Sequence, residues 1–119
     1  MNVVPLQEPL PDEIRAQLER MARSETFRYS LRMCRLLRFV VDHALDPRSG
    51  PLKEYLIGLR AFDRPESFDP RTDPIVRVEA SRLRAKLRDY YSREGANDPV
   101  LILLPKRGYL PEFGRNHRR

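Results

Sequence analysis

Cysteine is nearly absent. The one thiol, Cys34, excludes an internal disulfide and fits a reducing compartment. It lies within an apolar helical run, which reads as a core position rather than a reactive one. Histidine is almost as scarce. His43 and His117 stand far apart, and with a single cysteine they leave no metal-ligand spacing, so no metal or other cofactor is expected. No phosphate-binding glycine loop, nucleophile elbow or histidine–carboxylate pair beside a nucleophile can be found. Enzymatic activity is therefore not expected. No apolar run approaches the roughly 20 residues of a membrane helix. The opening residues MNVVPLQEPLPDE carry prolines and acids where a signal peptide needs a basic end and an apolar stretch. The expectation is a cytoplasmic protein with no membrane partner.

What is present is a soluble composition, 40% apolar and 34% charged over 119 residues, enough for one domain with a modest core. The net charge of +6 is placed unevenly. Residues 1–70 hold 11 basic and 11 acidic side chains, whereas residues 71–119 hold 12 and 6. The whole excess lies in the C-terminal part, which points to a polyanionic partner: nucleic acid first, an anionic membrane surface second.

Along the chain, residues 1–10 are proline-punctuated and read as a flexible N-terminus. Pro11, with Asp12 and Glu13 behind it, opens a first helix whose apolar positions are Ile14, Leu18 and Met21 and which ends near Ser24. Ser30 can cap a second. Its face of Met33, Leu36, Leu37, Val40, Val41 and Ala44 is the broadest apolar one, so this helix belongs at the centre of the core. Arg28, Arg32, Arg35 and Arg38 mark its other side, as a solvated face or as secondary phosphate contacts. After the break at Asp46–Pro51, Leu52 to Ala61 forms a short third helix with Leu52, Leu56, Ile57 and Leu59 turned inward. Gly58 weakens it. Phe62 to Asp73 is a long loop of two prolines, four acids and two aromatics, with Phe62 and Phe68 as anchors. Thr72 or Asp73 can cap the fourth helix.

The stretch PIVRVEASRLRAKLRDYY, Pro74 to Tyr91, sorts cleanly as a helix. Val76, Ala80, Leu83, Leu87 and the tyrosines form one stripe. Arg77, Ser81, Arg84 and Arg88 run along its flank, Arg82 and Lys86 lie further round, and Val78, Ala85 and Asp89 face outward. Such a helix suits a major groove, its stripe on a body and its arginines on phosphates and guanine edges. A solvated amphipathic helix on any soluble domain is the competing reading. Beyond Gly95, Val100 to Leu104 and Tyr109 to Phe113 flank a basic, glycine-containing turn and predict a β-hairpin with Lys106 and Arg107 at its tip. Leu101, Leu103 and Tyr109 are expected to hold it to the body. Residues 114–119 read as a loose basic tail.

Short helix, loop, arginine-faced helix and basic hairpin make up the plan of a winged helix-turn-helix, a mostly α fold with a small β-hairpin, here over residues 11–113. VRVEASRLRAKL followed by RGYLPEF resembles the C-terminal DNA-binding domain of OmpR-type response regulators. Val76, Val78, Arg82, Leu83, Arg84 and Leu87 match that family's helix pattern. Arg107, Gly108, Tyr109 and Phe113 match its wing loosely, and LKEYLIG matches its positioning helix. From Ile14 to Phe113 the chain is also similar to the winged-helix module that opens many bacterial multidomain proteins with TolB-like, adenylate-cyclase-like or tetratricopeptide segments. Helices stand where OmpR-type domains carry N-terminal strands, and no receiver domain or phosphoacceptor site accompanies the match.

The resemblance implies sequence-specific binding of double-stranded DNA in transcriptional regulation. Arg77, Ser81 and Arg82 are then candidates for base edges, and Arg71, Thr72, Arg84 and Arg88 for phosphates. Lys106 and Arg107 are wing contacts, and Lys53 a further backbone contact. In OmpR-type domains the loop that corresponds to Phe62–Asp73 meets the transcription machinery, so RNA polymerase is a candidate partner. The alternatives are a winged-helix module that docks a protein, RNA polymerase or a second copy as a dimer, and an architectural, excisionase-like DNA-bending role.

Overall fold

The computed structural model describes residues 8–117. Residues 1–7 of the expected flexible N-terminus and 118–119 of the expected tail lie outside them. The order is α1 (Pro11–Arg23), α2 (Leu31–Leu45), α3 (Glu54–Ala61), α4 (Ile75–Ser92), β1 (Val100–Leu103) and β2 (Glu112–Arg115). Four helices and one antiparallel hairpin give the layout of a winged helix-turn-helix.

Apolar spacing sets the packing. Ile14, Leu18 and Met21 of α1 are buried against a core centred on Leu36, Leu37, Val40 and Val41 of α2. α2 packs on each of the other three helices, and α1 also lies along β1. Glu13 reaches back to accept the Leu10 N–H at 3.0 Å, which stabilises the first turn of α1. Ser30 precedes α2 as expected, but its side chain makes no capping bond. α3 begins two residues later than expected. Within it Ile57, Gly58 and Ala61 are buried, while Leu52, Leu56 and Leu59 are only half-buried.

Phe62 and Phe68 anchor the long loop in the core. A Cβ on Gly58 would overlap the Phe68 ring, which explains a glycine that its helix propensity disfavours. Gly58→Ala should therefore destabilise the domain by about 1–3 kcal/mol through overpacking, although alanine is the better helix former. A urea titration would measure this, and a stabilised variant would mean that the ring moves aside freely. At the loop's end Asp73, not Thr72, caps α4, its carboxylate accepting the Ile75 N–H at 3.1 Å.

The hairpin differs from its expected form. Leu103 pairs with Glu112 and Val100 with Arg115, so residues 104–111 form the connecting loop and β2 starts three residues after Tyr109. Pro111 has no N–H to offer a ladder, which disfavours strand at the expected place. β2 instead takes in Gly114 and Arg115, both expected in the tail. Arg115 makes a two-pronged ion pair with Glu13 at 2.9 and 3.0 Å. That guanidinium first, and the Leu10 N–H second, hold the Glu13 carboxyl down at about 2. The inward residues of the first limb are Val100, Ile102 and Leu104. Leu101 is half-buried and Leu103 exposed, the reverse of the expected face, because a slip of one residue exchanges the two sides of a strand. Tyr109 does pack against the core.

A polar cluster joins α1, α4 and the hairpin. Gln17 is fully buried and donates to Asp98 at 2.9 Å. Tyr90 donates to the same carboxylate. Tyr91 donates to the Val100 carbonyl and accepts from the Ile102 N–H, both at 2.9 Å. Burial above all pushes both phenols above their ordinary range, so they stay protonated donors.

Candidate nucleic-acid interface

Val76, Ala80, Leu83 and Leu87 hold α4 to the body, all four fully buried or nearly so. The opposite side presents Arg77, Val78, Ser81, Arg82, Ala85 and Arg88 to solvent. The amphipathic division read from the sequence is thus the division in the fold, with two additions, Ile75 and Glu79. Glu79 is 4% exposed and accepts a bond from Arg82 at 3.0 Å. Its spacing from Val76 and Leu83, three residues after one and four before the other, marks it as inward, but its charge hid that.

The arginines of α4 are held differently. Arg77 Nη1 donates to Glu54 Oε2 at 2.6 Å and to the Pro70 carbonyl at 2.8 Å. Arg82 keeps a well-exposed side chain, yet its partner Glu79 is buried, so the pair is one that the carboxylate needs. Arg84 Nε donates to the Pro105 carbonyl at 2.8 Å, and its Nη2 to the Gly108 carbonyl at 2.9 Å. Arg88 has no hydrogen-bond or ion-pair partner among the described residues, nor do Lys106, Arg107 and Lys53.

The hairpin loop brings its tip beside α4. Gly108 has φ +76°, a value that L side chains rarely adopt, and Lys106 and Arg107 are exposed just before it. Ser81, Arg84, Arg88, Leu104 and Lys106 line one open groove of about 540 Å³ between helix and hairpin. Four of the nominated residues therefore share a site. Arg82 lies on the other flank, in a groove with Met33, Ala85 and Lys86. Arg71 folds back onto Asp69 at 3.1 Å, and the Thr72 hydroxyl bonds the Asp69 carbonyl at 3.2 Å. Both serve the loop first. Lys53 is exposed at the start of α3.

One residue outside the sequence reading completes the geometry. Glu54 accepts from Arg77 and also from the Tyr109 hydroxyl at 3.3 Å, so it links α3, α4 and the hairpin loop. Burial first, then the Glu54 charge, raise the Tyr109 phenol, which keeps it a donor. No sequence signal pointed to Glu54, because its partners lie 23 and 55 residues away. The acidic loop is largely neutralised: Asp69 pairs with Arg71 and Asp73 with Arg64 inside the loop, and Asp63 with Arg35 of α2. On α2, Arg38 is likewise paired, with Glu19.

Among the described residues no group of three or more His, Cys, Asp or Glu side chains is placed to hold a metal ion, and no helix is long and apolar enough to cross a membrane. Compared with protein-family models, curated proteins and solved structures, the chain matches none.

Proposed function

We propose that the domain binds double-stranded DNA sequence-specifically, as a regulator of transcription, with α4 in the major groove and the hairpin tip on the backbone. The observation that carries this reading is the juxtaposition of two cationic elements. The outer face of α4 and the Lys106–Arg107 tip flank one groove that holds Ser81, Arg84 and Arg88. A merely solvated helix would not need a second basic element beside it, and the net positive charge of residues 71–119 supplies the long-range attraction. Selection of bound sites from a random duplex pool tests the proposal. Strong enrichment of one motif supports sequence-specific binding. Binding without enrichment favours the architectural role, and no binding favours protein docking. One observation supports that last reading: Tyr29 and Leu31 are 77% and 73% exposed beside the flank that carries Arg82, a surface open to RNA polymerase or a second copy.

Within the proposal, Arg77 and Arg82 read bases. Arg77 would exchange its carboxylate for a guanine edge, and Arg82 would offer one the donors that Glu79 leaves free, each a contact worth about 1–3 kcal/mol of discrimination. Arg77→Ala and Arg82→Ala should each alter the preferred sequence as well as weaken binding. Equal losses on cognate and scrambled duplexes would make both residues phosphate contacts.

A further inference from the structure

Arg84 differs from its neighbours on α4, for its guanidinium is spent on backbone. The two carbonyls that it bonds, Pro105 and Gly108, bracket Lys106 and Arg107. One rigid, planar group therefore spans the base of the tip and closes it against the helix. The next residue, Tyr109, is tied to Glu54 through its hydroxyl, so the loop is fixed on both sides of its turn. A lysine could reach only as a single point charge and could not hold both carbonyls in a plane.

We infer that Arg84 is a positioning residue for the hairpin: it fixes Lys106 and Arg107 relative to α4 before any duplex arrives, and is not itself a phosphate ligand. This rests on the DNA reading above and assigns the nominated phosphate contact another role. Its physical basis is pre-organisation. A tip that is already ordered does not lose backbone freedom on binding, whereas a released tip must give up that freedom residue by residue.

A cycle of variants separates the two roles. Arg84→Lys, and Arg84→Met as a variant that keeps the packed stem, are combined with Lys106→Ala plus Arg107→Ala, and duplex affinity is measured at one salt concentration. Arg84→Lys should weaken binding about ten- to hundredfold, despite its retained charge. The same change should have almost no effect once the tip cations are gone, since nothing remains to present. A phosphate ligand behaves otherwise: lysine largely preserves affinity, and Arg84→Met loses the same factor in both backgrounds. That additive result would overturn the inference. Backbone order parameters at residues 106–108 give a second measurement without DNA. They should fall from near 0.85 to below about 0.6 in both Arg84 variants, and unchanged values would likewise overturn the inference. Should the wild-type protein bind no duplex, the proposed function fails, while the order parameters still decide whether Arg84 braces the loop.

Discussion

Removal of both tip cations, Lys106→Ala with Arg107→Ala, should flatten the dependence of log affinity on log salt by up to about 2 units. Each phosphate neutralised on B-DNA contributes about 0.9 to that slope, because each contact releases condensed counterions. The wild-type complex should accordingly lose about tenfold more of its affinity than the variant between 50 and 200 mM salt. Both side chains are exposed and have no protein partner among the described residues, so nothing competes with the phosphates for them. The change should be similar on cognate and non-cognate duplexes, since no base contact is lost. Thermal unfolding should be nearly unchanged, because neither residue belongs to the core. A titration at several salt concentrations measures the slope. An unaltered slope in a folded variant would place the tip off the duplex and turn the hairpin into a protein-docking surface.

The largest effect on stability is expected at Tyr90. It is among the largest fully buried side chains. Its ring meets Phe27 with centroids 5.8 Å apart and Tyr91 edge-on at 5.1 Å, and it fills the space that Gly95 leaves by having no side chain. Its hydroxyl also satisfies Asp98. Truncation of a buried aromatic to alanine costs about 3–5 kcal/mol, a large part of the 5–15 kcal/mol that holds a typical domain together. Tyr90→Ala should lower the thermal midpoint by about 10–20 °C. Tyr90→Phe should lose much less, since the ring remains and Gln17 still bonds the carboxylate. A variant Tyr90→Ala that melts within a few degrees of the wild type would mean that the cavity collapses with little cost.

The helices were legible because their signals are local. Pro11 with two acids behind it marked the start of α1, and apolar spacing the buried stripe of α1 and of α4. The hairpin was legible as a hairpin but not in register. Its inward face is set by how β1 meets α1 and Tyr91, and no residue near Leu101 reports that. In the candidate interface the composition of α4 was readable, since charge and periodicity both belong to one helix. The partnerships were not. Arg84 bonds carbonyls 21 and 24 residues away, and a carbonyl has no sequence identity to read. Arg77 and Glu54 meet only because α3 and α4 cross. Gly58 announced a constraint, but its cause, the ring of Phe68, lies across a loop.

The Tyr91 hydroxyl has a consequence beyond the polar cluster. β1 has two sides, and β2 covers one. On the other, the Val100 carbonyl and the Ile102 N–H point outward as an unpaired rung, the feature by which a strand recruits another chain. A single phenol occupies both groups at 2.9 Å, in the place a third strand would take. VLILL is apolar, uncharged and rich in strand formers, the kind of segment that stacks into cross-β assemblies when its edge is free. Tyr91 therefore closes the β1 edge to a newcomer by satisfying the backbone rather than by repelling it.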